Sequence, residues 1–122
     1  MTRRVLVIED NEQNLYLMRF LLEKNGCTVL GATDGPRGVA AALEWRPQLI
    51  LLDIQLPGMD GYAVAAALRG HAELAGVPII AVTSHAMAGD RQRILAAGAD
   101  GSIEKPIDPA TFVAEICRYL DK

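Results

Sequence analysis

Residues 49–60 read Leu49-Ile-Leu-Leu-Asp-Ile-Gln-Leu-Pro-Gly-Met-Asp60. Four aliphatic residues run directly into an acid, Asp53, and the chain then meets the turn signal Pro57-Gly58. A short continuous apolar run of this kind reads as a strand buried on both faces, the pattern of an interior strand in a parallel sheet. An ionised carboxylate at the end of such a strand is costly unless a partner or a cation offsets its charge.

Working outward from this strand, four more short runs read the same way: Val5–Ile8, Thr28–Leu30, Pro78–Val82 and a weaker Gly101–Ile103. Between and after them lie helix-like segments around 11–24, 36–45, 61–70, 88–97 and 109–120. Asn25-Gly26, Asp34-Gly35-Pro36, Gly89-Asp90, Gly98 and Asp108-Pro109 punctuate the joins. Strand alternating with helix five times predicts an α/β fold, an open sheet with helices on both faces. The pattern fills the chain without repeat, linker or low-complexity tract, so one domain is expected over residues 1–122.

Composition narrows the function. No apolar run approaches the roughly 20 residues of a membrane span, and the first ten residues carry acids unlike a signal peptide, so a cytoplasmic location is expected. The formal net charge is −3, and the 12 Lys and Arg residues form no basic stripe, which disfavours direct nucleic-acid binding. Cys27 and Cys117 lack metal-type spacing and read as ordinary thiols in a reducing compartment.

In open α/β sheets the chemistry lies past the carboxyl ends of the strands. Glu9 and Asp10 follow the first strand, Asp53 the third, Thr83 and Ser84 the fourth, and Lys105 the fifth. Taken singly, each has an ordinary reading. Asp10, for example, could simply cap the next helix. Together, three carboxylates at neighbouring strand ends repel one another and call for a hard cation such as Mg²⁺, which prefers oxygen ligands. With Lys105 and the Thr83 hydroxyl nearby, the set reads as a receptor for a phosphoryl group, with a carboxylate available as nucleophile.

The stretches Val7–Asn11, Leu51–Gly61, Ala81–Thr83 and Glu104–Ile107 resemble the receiver domains of two-component response regulators. That resemblance implies a flavodoxin-like sheet of five parallel strands in the order 2-1-3-4-5. It implies Asp53 as phospho-acceptor and Mg²⁺ held by Asp10, Asp53 and the backbone carbonyl of Gln55, with Glu9 acting through a bound water. It implies that Lys105 contacts Asp53 and then the phosphoryl group, that Thr83 bonds a phosphoryl oxygen, and that the Lys105-Pro106 peptide is cis. The implied donor is a histidine on a histidine kinase or histidine phosphotransfer protein, and the implied readout is a downstream protein target rather than an enzymatic activity of the chain. Gln55 and His85 would flank the phosphoryl group and tune its hydrolysis.

One position departs from the family pattern. An aromatic residue three places before the lysine usually couples to the Thr83 position, and here that place is Ser102. Serine cannot fill or empty a hydrophobic pocket. The segment Ala86–Arg91 followed by Ala97–Asp100 is similar to stand-alone receivers and to those of hybrid histidine kinases, as in single-domain cell-cycle regulators of bacteria. With the sequence ending at Lys122, no output domain is expected. In the first helical segment, Leu17, Met18 and Leu21 are expected to face the sheet, with Leu15 and Leu22 on one flank and Tyr16 and Phe20 on the other. That apolar surplus suits a helical partner or a weak homodimer contact; the alternative is packing within the domain.

Three rival readings remain. A flavodoxin-like FMN binder would need a phosphate-cradling loop rich in Ser, Thr and Gly after the first strand, where Glu9-Asp10-Asn11 would repel a phosphate unless a cation intervened. A phosphatase of the haloacid dehalogenase type also uses a strand-end Asp with Mg²⁺, but needs a second acid where Gln55 stands. A degenerate receiver would work without phosphorylation, against which the intact acids, Thr83 and Lys105 argue.

Overall fold

The computed structural model describes residues 3–56, 60–84 and 88–121. Five strands, β1 (Arg3–Ile8), β2 (Cys27–Ala32), β3 (Leu49–Asp53), β4 (Ile79–Thr83) and β5 (Gly101–Glu104), form one parallel sheet in the order β2-β1-β3-β4-β5. The helices are α1 (Glu12–Lys24), α2 (Gly35–Trp45), α3 (Gly61–Arg69), α4 (Ala88–Ala96) and α5 (Pro109–Leu120), with a single 3-10 turn at Ala72–Leu74. Fold class and strand order are those expected from the sequence.

The aliphatic runs form the sheet because both of its faces are covered. Leu6, Ile8, Ile50, Leu52, Ile79 and Ala81 point into one layer with Ala42 of α2, Val64 and Leu68 of α3 and Ile94 of α4. Val5, Val7, Leu49, Leu51, Ile80, Val82 and Ile103 point the other way, against Met18 and Leu22 of α1 and Phe112 and Ile116 of α5. Each fully buried Leu or Ile contributes about 1.5–3 kcal/mol by leaving water, so the strand positions are strongly specified.

Helix starts follow local chemistry. Asn11, Asp34, Asp60 and Asp108 each accept a hydrogen bond from a backbone N–H in the first turn of the helix they precede, a cap worth about 1 kcal/mol each. The α1 cap is therefore Asn11 and not Asp10, which leaves the Asp10 carboxylate out of the helix. The α1 face also differs from expectation. Leu22 is fully buried beside Met18, whereas Leu17 and Leu21 are only half-buried. Tyr16 and Phe20 are 70% and 50% exposed and stack with ring centroids 6.3 Å apart.

Two features set the position of the β3 rim. Gly61, at the start of α3, donates its N–H to the Ile54 carbonyl, and a Cβ there would lie 2.5 Å from that oxygen and 2.7 Å from its carbon. Only glycine allows so close an approach. Farther along, Arg69 at the end of α3 donates to the carbonyls of Gly98, Leu74 and Val77 and pairs with Asp100. Asp100 in turn accepts from Ile79 N–H. This single side chain ties α3 to the segments that enter β4 and β5.

Candidate functional site

The parallel register brings the strand ends to one rim. Ile8 pairs with Leu52, Asp53 with Val82 and Thr83 with Glu104. Residues at or just past these rungs therefore arrive side by side, and the ladder sets their spacing more rigidly than a loop could.

Glu9, Asp10 and Asp53 each offer a carboxylate oxygen, and these oxygens lie within 4.8 Å of one another. Glu9 and Asp53 are buried and Asp10 is exposed, so the cluster opens to solvent on one side. Lys105 Nζ lies 2.9 Å from Glu9 Oε1 and 3.3 Å from Asp53 Oδ2. The other Asp53 oxygen, Oδ1, accepts from the Gln55 backbone N–H at 2.9 Å. Asn11 N–H approaches Glu9 Oε2 at 3.3 Å. The Lys105-Pro106 peptide is cis, and Lys105 is anchored by its N–H to the Thr83 carbonyl, 2.8 Å away. Thr83 is itself buried at the end of β4.

The electrostatics follow from this crowding. Burial, reinforced by the neighbouring Asp53 carboxylate, pushes Glu9 up from 4.5 to about 7, against the pull of Lys105. Burial also opposes the charge on Lys105, but Glu9 and Asp53 outweigh it and hold its pKa above the ordinary 10.5. The Lys105 ammonium thus meets two of the three clustered acids, and Glu9 resists ionising although it has Lys105 beside it. A hard divalent cation fits such an oxygen-only donor set, because it would offset the repulsion that one lysine leaves. Lys105 meets Asp53, and it also contacts Glu9, for which the sequence reading had given only a role toward the cation through water. Of the two carboxylates, Glu9 is the nearer.

Of the remaining positions singled out from the sequence, Gln55 lies exposed just past β3, with its side-chain Oε1 accepting from the Ser84 hydroxyl at 2.7 Å. The sequence reading missed this bond; the signal for it is positional, since both residues lie two places beyond the paired Asp53 and Val82. His85 lies outside the described residues, as do Pro57 and Gly58. Ser102 is half-buried on the edge strand β5, between Gly101 and the buried Ile103. It lines two cavities of about 310 and 200 Å³ that run between β5 and α5. The residues of the carboxylate cluster are thus brought together, while Ser102 faces a separate cleft.

Known proteins resemble this arrangement throughout the chain. A family model, "Response regulator receiver domain", matches residues 5–117. The "Polar-differentiation response regulator DivK" of Brucella ovis is 42% identical over 120 residues, which cover 98% of each chain. Among solved structures, the receiver domain of sensor histidine kinase PA1611 from Pseudomonas aeruginosa, described with a magnesium ion coordinated in its active-site cleft, is 32% identical. It covers the whole of both chains with a TM-score of 0.91. The chemotaxis protein CheY4 of Vibrio cholerae is 27% identical, with a TM-score of 0.93 over 98% of this chain and 99% of its own. The chain belongs to the response regulator receiver domain family and is a signalling receiver of the two-component type.

Proposed function

We propose that the chain acts as a single receiver domain over residues 1–122 and accepts a phosphoryl group on Asp53 from a histidine of a kinase or phosphotransfer protein. The observation that carries this reading is the rim itself. A buried carboxylate at the end of a rigid strand stands beside two further acids and a lysine 3.3 Å from one of its oxygens. A carboxylate oxygen of Asp53 attacks phosphorus, the phosphorus–nitrogen bond of the donor histidine breaks, and the electron pair leaves with the imidazole.

Asp10, Asp53 and the Gln55 carbonyl would hold Mg²⁺, with Glu9 close enough to act through a water. When bound, the cation supplies positive charge that lets the dianionic phosphoryl group approach a cluster of acids. Lys105, already in contact with Asp53, bonds the arriving phosphoryl oxygens. The Thr83 hydroxyl takes another, drawing the β4 end toward β3. The group formed carries roughly two negative charges, and a downstream protein that prefers this rearranged rim reads the signal or takes the phosphoryl group onward. With Ser102 in place of a ring, the rearrangement at Thr83 does not leave through an aromatic swing on β5. The chain has no catalytic output of its own beyond phosphotransfer and dephosphorylation. It works in the cytoplasm; among the described residues no helix is long and apolar enough to cross a membrane.

Incubation with acetyl phosphate and Mg²⁺ should add one phosphoryl unit to the intact mass, and Asp53→Asn should abolish it. Label that persists on the Asn variant would overturn the assignment. A phosphatase reading predicts turnover of small phosphate esters, which a separate incubation with p-nitrophenyl phosphate and Mg²⁺ would reveal as sustained release of nitrophenol.

A further inference from the structure

Beyond the acceptor and its ion pairs, the described residues of the rim include a polar contact that phosphotransfer does not use: the hydrogen bond from the Ser84 hydroxyl to Gln55 Oε1, 2.7 Å long. We propose that Ser84 is a positioning residue that pins Gln55 across the gap between the β3 and β4 ends, shielding phosphorylated Asp53 from water and lengthening the life of the signal. The inference rests on Asp53 as the phosphoryl acceptor.

The backbone geometry sets this up. The β3–β4 ladder continues just past the strands with Ile54 N–H to the Val82 carbonyl, 3.1 Å. Counting on from the Asp53–Val82 pair, Ile54 falls opposite Thr83 and Gln55 opposite Ser84, two places past the last paired residues. Their side chains supply a further rung where the backbone supplies none. Gln55 is also rooted on the acceptor, because its own N–H bonds Asp53 Oδ1 at 2.9 Å. The bridge therefore spans the opening between Asp53 on β3 and Thr83 on β4, the two residues between which the phosphoryl group sits.

Hydrolysis adds a water oxygen to phosphorus as the bond from phosphorus to the Asp53 oxygen breaks. The electron pair returns to the carboxylate, and hydrogen phosphate and a proton go to solvent. The attacking water must reach phosphorus opposite the Asp53 oxygen, through the open side of the rim. A Gln55 amide held over that side obstructs the path, and its carbonyl, occupied by Ser84, is not available to take a proton from the water. Once released, Gln55 is free to turn to solvent, since both residues are exposed. A neutral hydrogen bond between exposed groups is modest, so loss of the bridge should shorten the lifetime by about three- to tenfold rather than by orders of magnitude.

The test compares wild type with Ser84→Ala, Ser84→Thr, Gln55→Ala and the Ser84→Ala/Gln55→Ala pair. Each is labelled with acetyl phosphate and Mg²⁺, freed of donor, and followed by intact mass. Ser84→Ala and Gln55→Ala should both shorten the half-life, Ser84→Thr should keep it, and the double variant should decay no faster than Gln55→Ala. An unchanged or longer half-life in Ser84→Ala, or a further acceleration in the double variant, would overturn the inference while leaving Asp53 as acceptor. Failure of wild type to label, or label on Asp53→Asn, would overturn the acceptor assignment and the inference with it. In the metal-free, unphosphorylated protein the Gln55 side-chain amide resonances should shift in Ser84→Ala and stay near their places in Ser84→Thr. An unmoved pair in Ser84→Ala would show that the bridge does not form.

Discussion

Replacing Glu9 by Gln in the metal-free protein isolates the cost of holding an acid at the centre of the rim. Glu9 has no exposed surface, and burial with Asp53 beside it raises its pKa from 4.5 to about 7. Below pH 4.5 the side chain is protonated in both folded and unfolded chains and contributes no slope. Between 4.5 and about 7 the folded chain keeps the proton while the unfolded chain has released it, so stability falls as pH rises, and above 7 the loss is complete. Lys105, with its pKa held above 10.5, stays charged throughout and adds no slope in this window. At about 1.4 kcal/mol per pH unit, the shift amounts to about 3 kcal/mol. Glutamine keeps the shape and never ionises. In EDTA, Glu9→Gln should match wild type near pH 4 and exceed it by about 3 kcal/mol at pH 8, or roughly 10 °C in melting temperature for a domain of this size. Urea titrations at the two pH values measure the difference directly. Saturating Mg²⁺ should narrow the gap, because a cation beside ionised Glu9 stabilises wild type more than the variant. A variant less stable than wild type at pH 8, or a gap that does not widen from pH 4 to pH 8, would refute the reasoning.

Two structural substitutions give further checks. Arg69→Ala removes the donors that the Gly98, Leu74 and Val77 carbonyls and Asp100 share; chemical denaturation should show a loss of about 2–4 kcal/mol, and Arg69→Lys should recover little, since an ammonium cannot span that spread. Gly61→Ala drives a methyl into the Ile54 backbone and should cost about 1–3 kcal/mol by overpacking. Because Ile54 follows Asp53 directly, it should also slow labelling by acetyl phosphate, whereas a variant that melts lower yet labels at the wild-type rate would separate the α3 start from the site.

The aliphatic strands were legible because burial on both faces leaves a continuous apolar run, and the rim was legible because each chemical residue directly follows such a run. Strand starts were less so. Arg3 and Arg4 belong to β1 because they pair with Cys27 and Thr28, and half-buried polar residues at a strand entrance carry no apolar signal. The α1 face shifted toward Leu22 because the tilt of a helix on a twisted sheet decides among neighbouring leucines, and spacing alone does not fix that tilt. The 3-10 turn at Ala72–Leu74 is too short for any periodicity. Arg69 was missed for a different reason. Its partners come from two separate segments, the entries to β4 and β5, and only their approach in space turns an ordinary last-turn arginine into a tie. The closeness of Lys105 to Glu9 is of the same kind, set by the reach of one side chain across the ends of β1 and β5.

The rim draws on β1, β3, β4 and the residue following β5, and the four are parallel strands joined by helical crossovers. None of its parts lies next to another along the chain between Asp10 and Asp53, or between Asp53 and Thr83. During synthesis, Asp53 emerges with its acidic neighbours already made but without Lys105, which follows much later. Under the proposed function, a nascent chain therefore carries the acceptor before it has the lysine that faces it. Lys105 reaches the rim only once β5 pairs with β4, and such non-local pairing is slow in a parallel sheet. On that assignment, a copy lacking the β4–β5 pairing should take label from acetyl phosphate more slowly than the folded chain.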